Sequence, residues 1–376
     1  MKNRQKQNEK KKKILYVDTC HDVAGGQRSL IALLEKINGK VDFNILIDKK
    51  NIKYKTELLK SGISERHINY IDSKPFNSRV IGGVNLMLRT LERSNYYSIV
   101  HCNTFYDGLF AMPSFRIRGR KTVFRARCGI DLSNHGFVDN VIYRLSTVIL
   151  ANSEYVKSTF KRVSDSLFKI RVIYNPLDLK FLNRTSGESV QDNEKYVIAV
   201  IGAITEVKNQ MEVLQALYLL NDTSVKLRFI GEPRSTEKDK EYCKQLQKFT
   251  QEHNLHEQVE FTGFVSDVRE SLHDVNLVCV PSDREPLGRV IFETQLYEIP
   301  VLASNSGGNT ELVENNITGY LYELGNVEQL AEKLKLVKAD HSLITSNAKD
   351  FIIKRFSPER TYLAELSLYT EIMKLE

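Results

Sequence analysis

The 376-residue chain is predicted to fold as two doubly wound α/β domains, each built on a parallel sheet. Three observations carry that reading. Short runs rich in Val and Ile alternate with amphipathic stretches along most of the length, the pattern of strand-helix-strand units. A polar segment from about Leu182 to Lys195 (LNRTSGESVQDNEK) interrupts the alternation near the middle and reads as a linker. The length suits two medium cores at roughly 100 to 200 residues per domain.

In chain order, residues 1–12 form a basic tail, read either as solvated and disordered or as an electrostatic membrane anchor. The first domain, 13–184, holds the strand runs ILYVD (14–18), FNILID (43–48), HINYID (67–72), SIVHC (98–102), KTVFRA (121–126), TVILA (147–151) and IRVIYN (170–175). Most are apolar throughout, as strands covered on both faces should be. After a linker at 185–195, the second domain, 196–357, holds YVIAVIGAI (196–204), KLRFIG (226–231), VEFTG (259–263), VNLVCVPS (275–282), PVLASN (300–305) and GYLYE (319–323), with a helical pattern at 209–220. A last helix is expected over 358–376, with apolar residues Tyr362, Leu363, Leu366, Leu368, Tyr369, Ile372 and Met373. Ligands of open parallel sheets lie beyond the carboxyl ends of the strands, so two such domains in tandem point to a site in the cleft between them.

Composition narrows the class further. Hydrophobic residues make up 41% and charged residues 27%, which excludes collagenous, low-complexity and wholly disordered chains. The net charge of +7 hides two unlike halves: residues 1–184 hold 34 Lys+Arg against 16 Asp+Glu, a net of +18, and the remainder holds 20 against 31, a net of −11. An asymmetry of that size implies that the first half meets an anionic partner, a membrane surface or nucleic acid. The strongest basic patch is RIRGRKTVFRAR (116–127), with Arg116, Arg118, Arg120, Lys121, Arg125 and Arg127. It holds a single interleaved aromatic, Phe124, and no nucleic-acid motif, so an anionic lipid surface or a lipid-pyrophosphate acceptor explains the charge better, and no nucleic-acid partner is expected. Five widely spaced cysteines, an odd number with no C-x-x-C pair, point to reduced thiols in a cytosolic protein and away from a zinc site. No apolar run approaches the roughly 18 residues that a membrane span needs.

The stretch richest in chemistry is PSDREPLGRVIFE (281–293). Gly288 stands where a helix can begin, and the first turn of a helix offers unpaired N–H groups and a positive dipole end to a phosphate. Glu285 precedes that turn and Glu293 lies inside the helix. The two carboxylates thus lie far enough apart to reach opposite ends of a nucleoside diphosphate sugar, one at sugar hydroxyls and one at a ribose diol; the alternative is two ordinary surface glutamates. No two aspartates lie two residues apart, so the chain lacks a D-x-D metal clasp.

The spacing E285-PLGRVIF-E293, followed by PVLASNSGGNTELVENNITGYLYELGNVEQLAEKL (300–334), resembles the retaining glycosyltransferases of family 4, which have the GT-B fold of two Rossmann-like domains facing across a cleft. ANSEYVKSTF (151–160), VIYNPLDLKFL (172–182), GAITEVKNQMEVLQAL (202–217) and FTGFVSDV (261–268) extend the resemblance over most of the chain, strongly from about 147 to 335. It implies an acceptor-binding first domain, a nucleotide-sugar-binding second domain and a C-terminal helix that crosses back to the first domain. Residue by residue, Lys208 matches the lysine on the donor diphosphate, Glu285 the carboxylate facing the transferred sugar, and Glu293 the ribose ligand. Pro286, Leu287 and Gly288 match the phosphate-cradling loop, Gly202 the glycine ending the first strand of the second domain, and Gly25 with Gly26 the glycine loop of the first domain. Two departures stand out. Ala203 replaces an arginine that usually accompanies the lysine, leaving Arg28, Arg234 or Arg284 to supply the charge. The usual histidine near the reacting sugar has no clear match, with Cys128, Asp131 and His135 in its neighbourhood. Asn175 completes the set of candidates.

The implied activity is metal-independent transfer, with retention, of a hexosyl or N-acetylhexosaminyl group from a nucleotide-diphosphate sugar, a UDP-sugar favoured, to a lipid-linked or cell-surface glycan. No cofactor is expected. The location implied is cytoplasmic, peripheral at the inner face of the plasma membrane. The rival readings are a GT-B subunit that has lost catalysis, which Ala203 favours and intact Lys208, Glu285 and Glu293 oppose, and a sugar-nucleotide epimerase of related fold.

Overall fold

The structure is a computed structural model and describes residues 13–21, 23, 25–74, 78–129, 136–177, 195–265, 267–339 and 342–374. The chain divides into two compact units, Met1–Pro176 with Pro358–Glu376, and Leu177–Ser357. The tail at 1–12 and all of the expected linker except Lys195 lie outside the described residues, as does His135.

The first unit carries a seven-stranded sheet in the order β3-β2-β1-β4-β5-β6-β7, with every pair parallel. The strands are β1 (Lys13–Asp18), β2 (Asp42–Asp48), β3 (Ile68–Ile71), β4 (Ile99–Cys102), β5 (Lys121–Ala126), β6 (Val148–Ala151) and β7 (Ile170–Val172). Its helices are α1 (Gly25–Ile37), α2 (Ile52–Lys60), α3 (Arg79–Arg93), α4 (Phe105–Ile117), α5 (Gly136–Leu145) and α6 (Glu154–Thr159). Alternation along β1 explains its unbroken apolar run: Ile14 and Tyr16 enter one buried cluster, with residues of α1 and α2, while Leu15 and Val17 enter the other, with residues of α3 and α4. The C-terminal helix, Pro358–Lys374, belongs to this unit and puts Leu368, Tyr369 and Ile372 into the first cluster.

That helix is also held by buried polar groups. Arg125, on β5, forms an ion pair with Glu365 and donates from Nη1 to the Ile173 carbonyl at 3.1 Å. The Tyr369 hydroxyl donates to Glu365 Oε2 at 3.0 Å and lies 2.7 Å from His101 Nδ1 and 3.0 Å from the Tyr16 hydroxyl. Burial and the Arg125 and Arg127 charges hold His101 well below the usual imidazole range, so it is neutral near pH 7. The basic patch read from the sequence is therefore divided: Arg116 and Arg118 are exposed, whereas Arg125 is a core residue at 5% exposure.

The second unit carries a six-stranded parallel sheet in the order β10-β9-β8-β11-β12-β13. Its strands are β8 (Tyr196–Ile201), β9 (Val225–Ile230), β10 (Val259–Gly263), β11 (Leu277–Val280), β12 (Val301–Ser304) and β13 (Tyr320–Tyr322). The helices are α7 (Gln210–Leu220), α8 (Glu237–Glu252), α9 (Arg289–Leu296), α10 (Asn309–Leu312), α11 (Val327–Ala339) and α12 (Ser342–Phe356), which makes the helix Pro358–Lys374 α13. Val213, Leu214 and Leu217 of α7 and Leu330 and Leu334 of α11 cover one face of the sheet, against Ile198, Val200, Leu227 and Phe229. Each of the thirteen strand runs marked in the sequence contains the core of a strand, most trimmed by one to three residues where the chain turns out of the sheet.

Candidate functional site

In a doubly wound sheet the chain leaves adjacent central strands in opposite directions at one point, and loops part there to leave room for a ligand. In the second unit that point lies between β8 and β11. The loop after β8 carries Lys208 and the loop after β11 carries Glu285. Lys208 Nζ donates to Glu285 Oε2 at 2.6 Å, with the two side chains 24% and 14% exposed. The lysine that the sequence pairs with an anion thus meets the carboxylate that opens the second motif. An ion pair of this exposure is readily exchanged for other partners, since its Coulomb gain is largely offset by desolvation and screening.

The backbone explains why both groups reach this spot. Gly202 ends β8 at φ 135°, a conformation L side chains avoid, and an added Cβ would stand 3.6 Å from Lys208 Cε, so the lysine stem lies over it. Thr205 Oγ1 caps the 3-10 turn Glu206–Lys208, and Asn209 then takes a left-handed conformation at φ 51° to start α7. Glu212, in the first turn of α7, secures that bend: its carboxylate accepts from Asn209 Nδ2, from the Tyr322 hydroxyl at 3.1 Å and from the Gly325 N–H at 2.6 Å. Burial raises the Glu212 carboxyl above the usual range, and those three donors offset part of the rise. Nothing in the local sequence singles out Glu212, because two of its three partners, Tyr322 and Gly325, lie more than 100 residues away.

On the other side, the Asp283 N–H donates to the Val207 carbonyl at 2.8 Å and joins the two loops. Arg284 is left-handed at φ 49° and exposed; its N–H donates to Ser306 Oγ at 2.9 Å, and its Nε donates to Asp283 at 2.8 Å. The Glu285 carbonyl accepts from the Gly308 N–H at 2.6 Å. Gly307, at φ 62°, leaves no room for a side chain: an added Cβ would be 2.4 Å from the Glu285 carbonyl oxygen. The serine-glycine loop SNSGG thus packs directly beneath Glu285. Pro286 is half-buried and Leu287 buried, and they lead to Gly288, the N-cap of α9, which has no side-chain cap bond. Glu293, one turn further, accepts from Arg289 Nη2 at 3.1 Å. The sequence reading missed this partner, which the i, i+4 spacing would have revealed. Arg234 is exposed. Ala203 offers its carbonyl to Gln210 Nε2 at 3.0 Å.

The corresponding point of the first unit lies between β1 and β4. Gly25 and Gly26 form the first residues of α1, and Arg28, in the same turn, is exposed. An added Cβ on Gly26 would be 3.0 Å from Arg127 Cδ, so Arg127 lies across the start of α1. Arg127 donates to Asn103 Oδ1 from Nε at 3.0 Å and Nη2 at 2.9 Å, and to Asn175 Oδ1 from Nη1 at 3.1 Å. Asn103 in turn donates to Asp18, which also accepts from Gln27 Nε2 at 3.1 Å and the Tyr54 hydroxyl at 3.2 Å. Asp107, fully buried, accepts from Thr19 Oγ1 and Thr104 Oγ1, both at 2.6 Å. Burial and the neighbouring Asp18 charge push its carboxyl up to about 7. Of these residues the sequence reading named Gly25, Gly26, Arg28 and Asn175 as candidates. Asp18, Asn103, Asp107 and the bonds of Arg127 escaped it, since these residues lie at or just beyond the ends of three strands. Arg127 stands one residue past β5, in the neighbourhood searched for the histidine. Among the described residues no three His, Cys, Asp or Glu side chains converge as metal ligands would.

Comparison with known proteins follows the same division. Residues 183–352 match the model of the family Glycosyl transferases group 1, and residues 23–181 match Glycosyltransferase Family 4. The chain is 29% identical over 189 residues to the capsular polysaccharide biosynthesis glycosyltransferase CapM of Staphylococcus aureus, covering 48% of each chain. It is 25% identical over 206 residues to N-acetyl-alpha-D-glucosaminyl L-malate synthase of Bacillus anthracis, covering 54% of this chain and 51% of that one. The chain thus spans about half the length of these two relatives. In fold it is similar to Anabaena HepE, solved in complex with UDP, with a TM-score of 0.84 at 21% identity over 96% of this chain and 100% of that one. The chain belongs to the group 1 glycosyltransferases of the GT-B type.

Proposed function

We propose that the chain moves a hexosyl or N-acetylhexosaminyl group from a nucleotide-diphosphate sugar to a lipid-linked or cell-surface glycan, with retention at the anomeric carbon and without a metal ion. The observation that carries the reading is the Lys208–Glu285 pair at the parting of β8 and β11. With donor bound, Lys208 exchanges Glu285 for the diphosphate, and Glu285 turns to hydroxyls of the sugar. The bond from the anomeric carbon to the diphosphate breaks first, and its electron pair leaves with the phosphate oxygen. That oxygen takes the proton of the acceptor hydroxyl, which attacks on the face the diphosphate has left, so configuration is kept. The protein's share is positioning and charge stabilisation of an oxocarbenium-like state and a departing anion. Lys208 and the N–H groups at the start of α9 stabilise the departing anion, Glu285 faces the positive charge that develops at the sugar, and Arg127, held at the start of α1, offers a cation to an anionic part of a substrate.

A UDP-sugar is favoured, in keeping with UDP in the HepE structure and with the N-acetylglucosaminyl group in the name of the B. anthracis relative. A surface glycan acceptor agrees with the name of CapM. The basic first half, net +18 over residues 1–184, fits work at the anionic cytoplasmic face of a membrane. Thermal shift with a panel of UDP-, GDP-, ADP- and dTDP-sugars tests the donor. A UDP-hexose or UDP-N-acetylhexosamine should raise Tm, and Lys208→Ala should abolish the rise. If no nucleotide sugar shifts the native protein, the reading fails.

A further inference from the structure

Helix α3 is turned the wrong way round for a water-facing surface helix. Its buried positions are Gly82, Gly83, Leu86 and Thr90, while Val80, Ile81, Val84 and Leu88 are 69%, 48%, 43% and 53% exposed and Met87 is 36% exposed. A surface helix ordinarily places its large aliphatic residues inward. Here the orientation is locked: an added Cβ on Gly82 would stand 1.8 Å from the Ser73 carbonyl oxygen, and one on Gly83 would stand 2.4 Å from the Phe110 ring. Only glycines let α3 lie this close, and that seating leaves the aliphatic stripe outside.

Arginines stand at both ends of the helix. Arg79 opens the helix and Arg89 and Arg93 close it, with Glu92 as its one acidic residue. Arg118 Nη1 donates to Asn95 Oδ1 at 3.0 Å, tying the end of α4 to the end of α3. This brings Arg116, Arg118 and Ile117, the last 79% exposed, beside Tyr96, 75% exposed. Exposed aliphatic side chains with arginines at the adjoining helix ends, and an aromatic beside them, suit the boundary between acyl chains and anionic headgroups. No helix among the described residues is long and apolar enough to cross a membrane.

We propose that α3, with the adjoining end of α4, lies in the interface of an anionic lipid bilayer and docks the first unit on it. This deepens the membrane part of the proposed function and rests on it. It assigns the apolar contact to Val80, Ile81, Val84 and Leu88, and the headgroup contact to Arg79, Arg89, Arg116 and Arg118.

Flotation of the full chain with vesicles tests it, using phosphatidylcholine alone or with 30% phosphatidylglycerol at about 0.15 M salt. The native chain should float with the anionic vesicles and remain behind with the neutral ones. Ile81→Ser/Val84→Ser/Leu88→Ser should lower partitioning at least tenfold with the charge unchanged. Arg116→Gln/Arg118→Gln should lower it about 25-fold, at about fivefold per cation, and only the arginine contribution should weaken further with added salt. Each variant is checked for an unchanged far-UV spectrum and unchanged Tm shift by soluble nucleotide sugar. Intact sugar binding with lost flotation supports the docking role; lost sugar binding in the native chain instead strikes the transferase reading. The proposal is overturned if the serine variant floats like the native chain, if native protein floats equally with neutral vesicles, or if deleting residues 1–12 alone abolishes flotation.

Discussion

Glu365→Ala probes how the C-terminal helix is held to the first unit. The substitution leaves Arg125, 5% exposed, with the Ile173 carbonyl but no carboxylate, and takes from the Tyr369 hydroxyl the acceptor at 3.0 Å. Removing one partner of a buried ion pair typically costs about 3–5 kcal/mol, because the remaining charge stays desolvated. Domains are stable by about 5–15 kcal/mol, so the loss is a large fraction of the total. At about 2–4 °C per kcal/mol for a unit of this size, Tm should fall by roughly 6–20 °C. Hydrogen exchange of 358–374 should accelerate more than that of α1, which shares its cluster. Arg125→Met/Glu365→Leu removes both charges and should recover most of the loss, since a packed apolar pair substitutes for a buried ion pair at little cost. A Glu365→Ala protein within about 1 kcal/mol of the native one, or a double variant no better than the single one, would contradict a buried ion pair that holds the helix.

Other consequences follow from the two switch points. Gly307→Ala forces a Cβ to within 2.4 Å of the Glu285 carbonyl oxygen at a positive φ, so it should abolish donor-induced Tm shift and lower Tm in the free protein. The carboxyl of Asp107 is pushed up to about 7. A raised carboxyl contributes its stability fully below the unfolded value near 4 and loses it as pH climbs to about 7. Tm should therefore decline between pH 5 and 7.5, and Asp107→Asn should flatten that slope whatever offset it adds.

Much of the fold can be read along the chain because parallel strands covered on both faces are apolar at most positions, as in the run Leu15, Tyr16 and Val17. The candidate residues of the second unit stand out for a different reason. Lys208, Glu285 and Gly288 sit in continuous motifs, and their types suit phosphate and sugar without reference to distant residues. The burial of Arg125 is not legible, because sequence shows its kinship with Arg116 and Arg118 but not Glu365, 240 residues on, the carboxylate that pairs with it inside. Asp18, Asn103, Asp107 and Arg127 were invisible for the same reason, each being ordinary in its own stretch. Their meaning comes from sheet order, which brings β1, β4 and β5 side by side. Gly82 and Gly83 read as weak points of a helix until the close approach of Ser73 and Phe110 is known.

The central claim is that the Lys208–Glu285 pair is the reacting end of a nucleotide-sugar site. It is tested most directly by turnover of the preferred donor by the native protein and by Glu285→Gln, alongside donor affinity. The account predicts a fall in kcat of about 10²–10³, with Kd for the donor moving less than about tenfold, because the carboxylate acts mainly on charge developing at the sugar. Equal turnover in the two proteins would contradict it.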